Sequence, residues 1–579
     1  MDSLSKYAGW LENEYFDAAT RNELKNIADD PAEIEERFYR DLEFGTGGLR
    51  GIIGAGTNRM NIYTVRKASQ GLAVYVLKNV DNGAARGVVI AYDSRHMSPE
   101  FAAEAAGVFA ANGIKAWLFD ELKPTPELSF AVRHLKAAAG VVVTASHNPR
   151  NYNGYKVYGE DGAQLSLEGS EAVLAEIEGI SDLTSVRGMD RQEGIDRGLI
   201  RIIGGEIDDA YIGSLKTLAV NPEIVKKTSG NLKIVYTPIH GTGNKPVRRI
   251  LKETGFDNVL VVREQELPDP DFSTVKYPNP EEKEAFRLAI DLARKENADL
   301  IIGTDPDCDR VGVVVRNSAG EYTVLTGNQT GCLLLEYILS QKKHAGSLPA
   351  NGFAVKTIVT SELSRTIAAA YGVELIEVLT GFKFIGERIK ELDEFGDKKY
   401  LFGFEESYGY LAGTFVRDKD GVVACMLIAE MAAYYKSRGM SLYEGLEEIF
   451  QKYGYYLEGI NSFTLEGKEG IERIGAAMET LRSRRTSVFG AFEASGVRDY
   501  QSRIRYDMTG GTSDRLELPE SNVLYYELAG AGAWFCIRPS GTEPKIKIYY
   551  GVSAETAEKA GQKLELLRGD VLSVIKPLL

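Results

Sequence analysis

Short apolar runs recur along the chain, each closed by small or polar residues. Gly87-Val-Val-Ile-Ala-Tyr-Asp93, Val141-Val142-Val143, Leu232-Lys-Ile-Val-Tyr236, Leu300-Ile-Ile302 and Phe353-Ala-Val-Lys-Thr-Ile-Val359 predict short buried strands. Runs that are continuous rather than alternating suit a sheet covered on both faces. Between them lie longer stretches of helical pattern, such as Glu281–Glu296 and Gly421–Lys436. Alternating strands and helices predict α/β architecture, with mostly parallel sheets and right-handed crossovers. Ligands gather at the carboxyl ends of such strands. The residues that follow each run therefore carry the chemistry.

Four of these loops stand out. Thr144-Ala-Ser-His-Asn-Pro149 follows Val143 and presents Ser146 on a tight turn, where a phosphoryl acceptor or nucleophile would be useful. Asp305-Pro-Asp-Cys-Asp-Arg310 follows a second run, and its alternating carboxylates offer hard oxygen ligands suited to Mg²⁺. An EF-hand is excluded, because Arg310 and Arg316 occupy the positions of that loop's turn glycine and terminal glutamate. An arginine directly after the third aspartate points to a phosphate partner. Gly403-Phe-Glu-Glu-Ser407 follows the strand-like Lys399–Phe402. Glu405 and Ser407 could grip adjacent sugar hydroxyls, or the segment could be an acidic helix N-terminus. Just upstream, Leu379-Thr-Gly-Phe-Lys383 gives a glycine turn with a cation. Arg538-Pro-Ser-Gly-Thr-Glu-Pro-Lys545 lies between the strand-like Trp534–Ile537 and Ile546–Tyr550. It reads as a hairpin loop with the makings of an anion nest.

Together these segments resemble the α-D-phosphohexomutase superfamily, the phosphoglucomutase and phosphomannomutase enzymes. That family carries a phosphoserine loop, a metal loop, a sugar-binding loop and a phosphate-binding loop. Here they match Thr144–Pro149, Asp305–Arg310, Gly403–Ser407 and Arg538–Thr542, in the family's order and across nearly the whole chain. Phe44-Gly-Thr-Gly-Gly-Leu-Arg-Gly51 is similar to the family's N-terminal signature. The chain length and the form of the sugar loop most resemble the long phosphoglucomutase group, which includes phosphopentose mutases.

The resemblance implies three similar mixed or parallel-sheet α/β domains, 1–205, 206–322 and 323–450, and a C-terminal α+β domain, 451–579. One loop would fall in each, around a central cleft closable by rotation of the last domain. The implied chemistry is a relay. Phosphorylated Ser146 gives its phosphoryl group to a sugar monophosphate, and the resulting bisphosphate returns its other phosphate to Ser146. Mg²⁺ would be held by Asp305, Asp307 and Asp309 with the Ser146 phosphate, and glucose 1,6-bisphosphate would be activator and intermediate. Arg538, Ser540, Gly541, Thr542 and Lys545 would hold the non-reacting phosphate. Glu405 and Ser407 would hold the sugar, with Arg310, Thr380, Gly381 and Lys383 as further substrate contacts. Lys156 and Lys419 are candidate proton acceptors, or simple phosphate clamps. A base lysine must sit well below its ordinary pKa. His147 would bind phosphate or brace the loop, since sequence neighbours rarely meet in the geometry a Ser–His pair requires. Arg50 would reach the phosphoserine or form a packing ion pair.

Two departures bear on the substrate. Gly409 stands where shorter mannose-type enzymes carry His, which favours glucose over mannose. Thr144 in place of Ser argues against a glucosamine phosphate mutase. Phosphomannomutase and phosphopentomutase remain alternatives with the same mechanism. A phosphatase would not need the sugar and anion loops, and a silent sugar-phosphate sensor should have lost Ser146 or a metal-loop aspartate.

A net charge of −15 argues against a broad nucleic-acid surface and requires local cationic clusters for an anionic substrate. No segment reaches the ~18 apolar residues needed to span a bilayer. The N-terminus has no charged segment followed by an apolar one, so no signal peptide is expected. Cys308, Cys332, Cys425 and Cys536 are scattered with no CxxC spacing, as expected of reduced thiols in a cytoplasm. Cys308 reads as a small filler within the metal loop.

Overall fold

The computed structural model of the 579-residue chain describes all residues except Met1, Thr46, Glu466, Ala531 and Gly541–Pro544, and no side chain at Gly467 or Lys468. The described residues form two compact units. One comprises Met1–Thr326, Ile385–Phe402 and Ser407–Leu442; the other comprises Gly327–Phe384, Gly403–Glu406 and Tyr443–Leu579.

The first unit opens with three short helices, α1 (Ser3–Glu12), α2 (Ala18–Lys25) and α3 (Pro31–Phe38). Asp2, Asp17 and Asp30 cap them by accepting backbone N–H groups. Their aromatic side chains pack with Tyr63, and Trp10 stacks on Phe16 at 4.2 Å. A mixed sheet follows, built from β1 (Gly48–Ile52), β2 (Val88–Tyr92), β3 (Ala116–Phe119), β4 (Ala139–Val143), β5 (Tyr152–Tyr158) and β6 (Ile200–Ile203). Its order is β1-β5-β4-β2-β3-β6. Strands β2, β3, β4 and β6 run parallel, whereas β5 is antiparallel to both β4 and β1.

The second sheet comprises β7 (Ile234–Thr237), β8 (Val259–Val261), β9 (Leu300–Thr304), β10 (Val311–Arg316) and β11 (Tyr322–Val324), ordered β11-β10-β9-β7-β8. Strands β7, β8 and β9 are parallel, and β10 turns back antiparallel on β9. Every residue of β4 and β9 is buried, as their continuous apolar runs require. The helix expected from Glu281 begins later. Lys283–Phe286 is a 3₁₀ turn and the α-helix spans Arg287–Glu296. The tight turn drives Phe286 into the core beside Gly303 and Gly312.

A third sheet has the order β13-β12-β14-β15, from β12 (Gly352–Thr357), β13 (Glu374–Val378), β14 (Lys399–Glu405) and β15 (Gly409–Ala412). Strand β14 runs through Gly403 to Glu405, so the helix N-terminus reading of this segment is corrected. Its buried, apolar Tyr400, Leu401, Phe402 and Phe404 carry the strand forward. The C-terminal part is antiparallel, made of β16 (Tyr455–Thr464), β17 (Val488–Phe489), β18 (Phe492–Asp499), β19 (Ile504–Asp507), β20 (Ser513–Arg515), β21 (Leu524–Leu528), β22 (Ala533–Pro539) and β23 (Lys545–Ala554). The order is β16-β23-β22-β21-β18-β19-β20, with β17 on β18. Helix Ala557–Ile575 covers it, burying Leu564, Leu567 and Val571. The three α/β sheets and antiparallel C-terminal domain agree with the expected fold class.

All four cysteines are buried, free thiols. No helix among the described residues is long and apolar enough to cross a membrane.

Candidate active site

Strand β4 delivers Ser146 at its carboxyl end. Ser146 has φ 52°, a left-handed conformation rare for a side chain with a Cβ. Its N–H donates to Thr144 Oγ1 at 2.8 Å, and its hydroxyl donates to Asp305 Oδ2 at 2.8 Å. His147 Nδ1 also lies 3.1 Å from Ser146 Oγ. The left-handed turn brings both side chains within hydrogen-bond reach of each other. The hydroxyl donates its single proton to Asp305 and so does not offer it to His147. Burial, with Arg310 and Arg50 nearby, pulls the His147 pKa well below its ordinary value. Arg50 Nη1 donates to Asn148 Oδ1 at 3.4 Å.

The metal loop lies opposite. Carboxylate oxygens of Asp305, Asp307 and Asp309 all fall within 4.8 Å of one another. The three residues are 0–2% exposed. Asp305 Oδ1 accepts the backbone N–H groups of Asp309 and Arg310 at 3.1 and 3.0 Å. Asp307 Oδ2 accepts from Lys156 Nζ at 2.7 Å and from Thr125 Oγ1 at 2.9 Å. Lys419 Nζ lies 3.1 Å from Asp309 Oδ2 and 3.0 Å from Asp418 Oδ1. Asp307 Oδ1 and Asp309 Oδ1 are buried without a hydrogen-bond partner. Burial and its two like-charged neighbours push Asp305 well above the usual carboxylate range. Three crowded hard-oxygen donors, two of them with orphaned atoms, fit a small dication.

Burial works against the charge of Lys156, but Asp307 and Asp309 outweigh it and raise its pKa. Lys156 is thus a firm cation here, opposite to the lowered pKa expected of a base. Arg310 pairs with Glu281. Cys308 is fully buried, its thiol against Gly243 and Gly421, as a filler should be.

The remaining predicted residues fall mainly in the other unit. Gly381 has φ 125°, and its N–H donates to Glu405 Oε1 at 2.9 Å, which joins the glycine turn to the sugar loop. Thr380 Oγ1 is buried without a hydrogen-bond partner, and Lys383 is 8% exposed beside Phe384. Ser407 lies in the turn into β15, in the first unit. Strands β22 and β23 pair Pro539 with Ile546, and Ser540 N donates to Lys545 O at 2.7 Å. The flanking strands β22 and β23 are antiparallel neighbours, as expected, with Arg538 opposite Lys547. Gly541 and Thr542 lie outside the described residues.

The structure adds residues that the sequence reading passed over. Glu406 Oε2 lies 3.4 Å from Thr357 Oγ1. Burial and the adjacent Glu405 charge push its pKa up to about 7. Asp418 accepts from Tyr158 and Gln164 at 2.8 and 2.9 Å while it steadies Lys419. Asp93 and Arg95 sit beneath the serine loop. Their signal was present, since Asp93-Ser-Arg95 follows the apolar run of β2 just as Thr144–Ser146 follows β4.

Four domain models match the chain in order, described as phosphoglucomutase/phosphomannomutase α/β/α domains I, II and III and C-terminal domain. They cover residues 41–183, 209–320, 326–453 and 520–568. A phosphoglucomutase of Staphylococcus haemolyticus is 39% identical over 530 residues, 92% of this chain and 94% of that protein. One of Staphylococcus saprophyticus is 37% identical over 558 residues, 96% of this chain and 98% of its own. Among solved structures, the open form of the Paramecium phosphoglucomutase pp63/parafusin superposes with TM-score 0.67 at 16% identity, covering 93% of this chain and 95% of that one. A phosphoglucomutase/phosphomannomutase family protein of Burkholderia thailandensis gives 0.64 at 18% identity, covering 92% and 97%. These two speak for the fold alone. The chain belongs to the phosphoglucomutase/phosphomannomutase family, within the α-D-phosphohexomutase superfamily. Its full-length relatives place it in the phosphoglucomutase group.

Proposed function

We propose that this chain is a phosphoglucomutase, an isomerase that interconverts glucose 1-phosphate and glucose 6-phosphate. The observation that carries the proposal is Ser146 Oγ, seated 2.8 Å from Asp305 beside two carboxylates with orphaned oxygens. In the forward half-reaction the bond from phosphorus to Ser146 Oγ breaks and a bond to the free sugar hydroxyl forms. The hydroxyl proton passes to a neutral lysine, and a proton reaches the departing Ser146 oxygen, so that the serine hydroxyl is restored. The bisphosphate then turns over, and its other phosphoryl group returns to Ser146 as the proton is given back. Such transfers depend on in-line placement and charge neutralisation. Asp305, Asp307 and Asp309, with an oxygen of phosphorylated Ser146, would hold Mg²⁺, which supplies that neutralisation.

Lys156 and Lys419 lie against the same carboxylates and are the acceptor candidates. A lysine accepts a proton only in its neutral form, so Lys156 must first give up the proton that Asp307 and Asp309 stabilise. His147 and Arg50 would steady the phosphoserine. Arg538, Ser540, Gly541, Thr542 and Lys545 would hold the distal phosphate. Glu405, Ser407, Thr380, Gly381, Lys383 and Arg310 would hold the sugar in both orientations. Gly409, in place of the mannose-type His, favours glucose. Domain limits near 205, 322 and 450, a cytoplasmic location that keeps four buried thiols reduced, and small sugar phosphates as the partners belong to the same proposal.

The test is a coupled assay with glucose 1-phosphate, Mg²⁺ and catalytic glucose 1,6-bisphosphate, beside mannose 1-phosphate and ribose 1-phosphate. Glucose 6-phosphate should form fastest, in a bisphosphate-dependent way, and chelation should stop it. Ser146→Ala should fold normally and lose turnover by at least about 10³-fold. A folded Ser146→Ala variant with full activity would sink the relay.

A further inference from the structure

We propose that Asp93 and Arg95 are positioning residues of the phosphoryl transfer, forming a buried brace that holds Ser146 in its left-handed, reactive geometry. The inference rests on Ser146 being the phosphoryl carrier, as argued above. Asp93 leaves β2 next to the point where Ser146 leaves β4. The strands pair Tyr92 with Val143, and Asp93 N donates to Val143 O at 3.1 Å.

Arg95 is 1% exposed, and its guanidinium binds backbone rather than solvent. Nη2 donates to Ser146 O at 2.5 Å and Asn148 O at 2.6 Å; Nη1 donates to Pro149 O at 2.9 Å and Tyr152 O at 3.1 Å. One side chain thus ties the serine loop from Ser146 to just beyond its end. Its planar fork offers this set of donors in fixed geometry, which a lysine does not. Phe272 covers it, with the ring centroid 5.0 Å from Cζ.

Asp93 carries the second arm. Its Oδ1 accepts from Arg95 N at 2.9 Å and Ser98 Oγ at 2.8 Å, and its Oδ2 accepts from Thr144 Oγ1 at 2.6 Å. The Thr144 proton is committed to Asp93, so its oxygen lone pairs point to the N–H of Ser146. The loop carbonyls are held by Arg95 and the Ser146 amide by the Asp93–Thr144 relay. Neither group touches Ser146 Oγ or the carboxylate triad by hydrogen bond, so their effect passes through backbone position.

The test compares Arg95→Lys, Thr144→Val and Thr144→Ser with the wild type. It measures phosphoserine formation from glucose 1,6-bisphosphate, kcat, KM and Tm on the full chain. A small displacement of a reacting atom can cost about 10²-fold in rate. Arg95→Lys and Thr144→Val should lower kcat and the rate of Ser146 phosphorylation by at least about tenfold while KM moves less than about threefold. Thr144→Ser, which keeps the hydroxyl, should recover most of the rate. A purely structural role would lower Tm and the folded fraction but leave kcat per folded molecule intact, and that result overturns the brace. Equal rates for Thr144→Val and Thr144→Ser overturn it as well. Wild-type enzyme that never labels on Ser146 would instead defeat the relay on which the brace rests.

Discussion

Lys419 reaches Asp309 by passing over Gly409, where a Cβ would collide with its Cδ and Cγ. The absence of a side chain at 409 is thus a matter of space. Gly409→Ala should push Lys419 off Asp309 and lower kcat by about ten- to a hundredfold. Steady-state kinetics on the folded variant would check this, and an unchanged kcat would remove Lys419 from the chemistry. Ser146 and the three aspartates were legible from their places after apolar runs. Asp93 and Arg95 also follow an apolar run, but their roles, like that of Asp418, lie in partners 51 to 260 residues away. Nor could the direction of the Lys156 pKa be read, since it depends on Asp307 and Asp309 standing against its ammonium group.

At the scale of an element, helix Gly421–Ser437 is capped by Asp420, whose Oδ1 accepts the N–H groups of Val422 and Val423 and the Tyr211 hydroxyl. Asp420 is 1% exposed. Burial raises its pKa from 3.8 to about 6. The sign follows from linkage. Below about pH 3 the carboxyl is protonated folded and unfolded and contributes nothing. As pH rises to about 6 the unfolded chain ionises first, and the fold loses up to about 3 kcal/mol from this group. Asp420→Asn keeps the cap acceptor and removes the charge. Its Tm relative to wild type should therefore rise between about pH 4 and pH 7. A difference in Tm independent of pH would contradict the assignment. The strand runs were visible in advance, whereas the continuation of β14 through Glu405 was not. Only its burial between neighbouring elements separates that strand from an acidic helix start.

At the scale of the whole molecule, the chain passes between its two compact units at several points, so sequence neighbours do not always share a unit. Within the second unit, Ile358, Val359 and Leu379 pack into one cluster with Tyr500, Val523, Tyr525, Trp534, Cys536 and Tyr549. The antiparallel C-terminal sheet therefore has an apolar face that residues 327–384 complete. A fragment spanning residues 443–579 should expose Tyr525, Trp534 and Tyr549, bind a hydrophobic dye, and melt at least about 5 °C below the whole chain. A cooperatively folded fragment that binds no dye would show the C-terminal sheet to be independent.

The order of the four loops, the alternation of apolar runs and the chemistry of Ser146, Asp305, Asp307 and Asp309 are local properties of the chain, and they suffice for the fold class and the family. Local pattern carries them because burial dictates a strand's composition and hard-oxygen chemistry dictates a metal loop's. The meeting of Ser146 with Asp305, the Arg95 clamp on four carbonyls, the hold of Tyr158 and Gln164 on Asp418 and the raised pKa of Lys156 arise only on folding. Each is a contact between distant segments, and hydrogen-bond geometry and electrostatics act over a few ångströms of space whatever the separation along the chain.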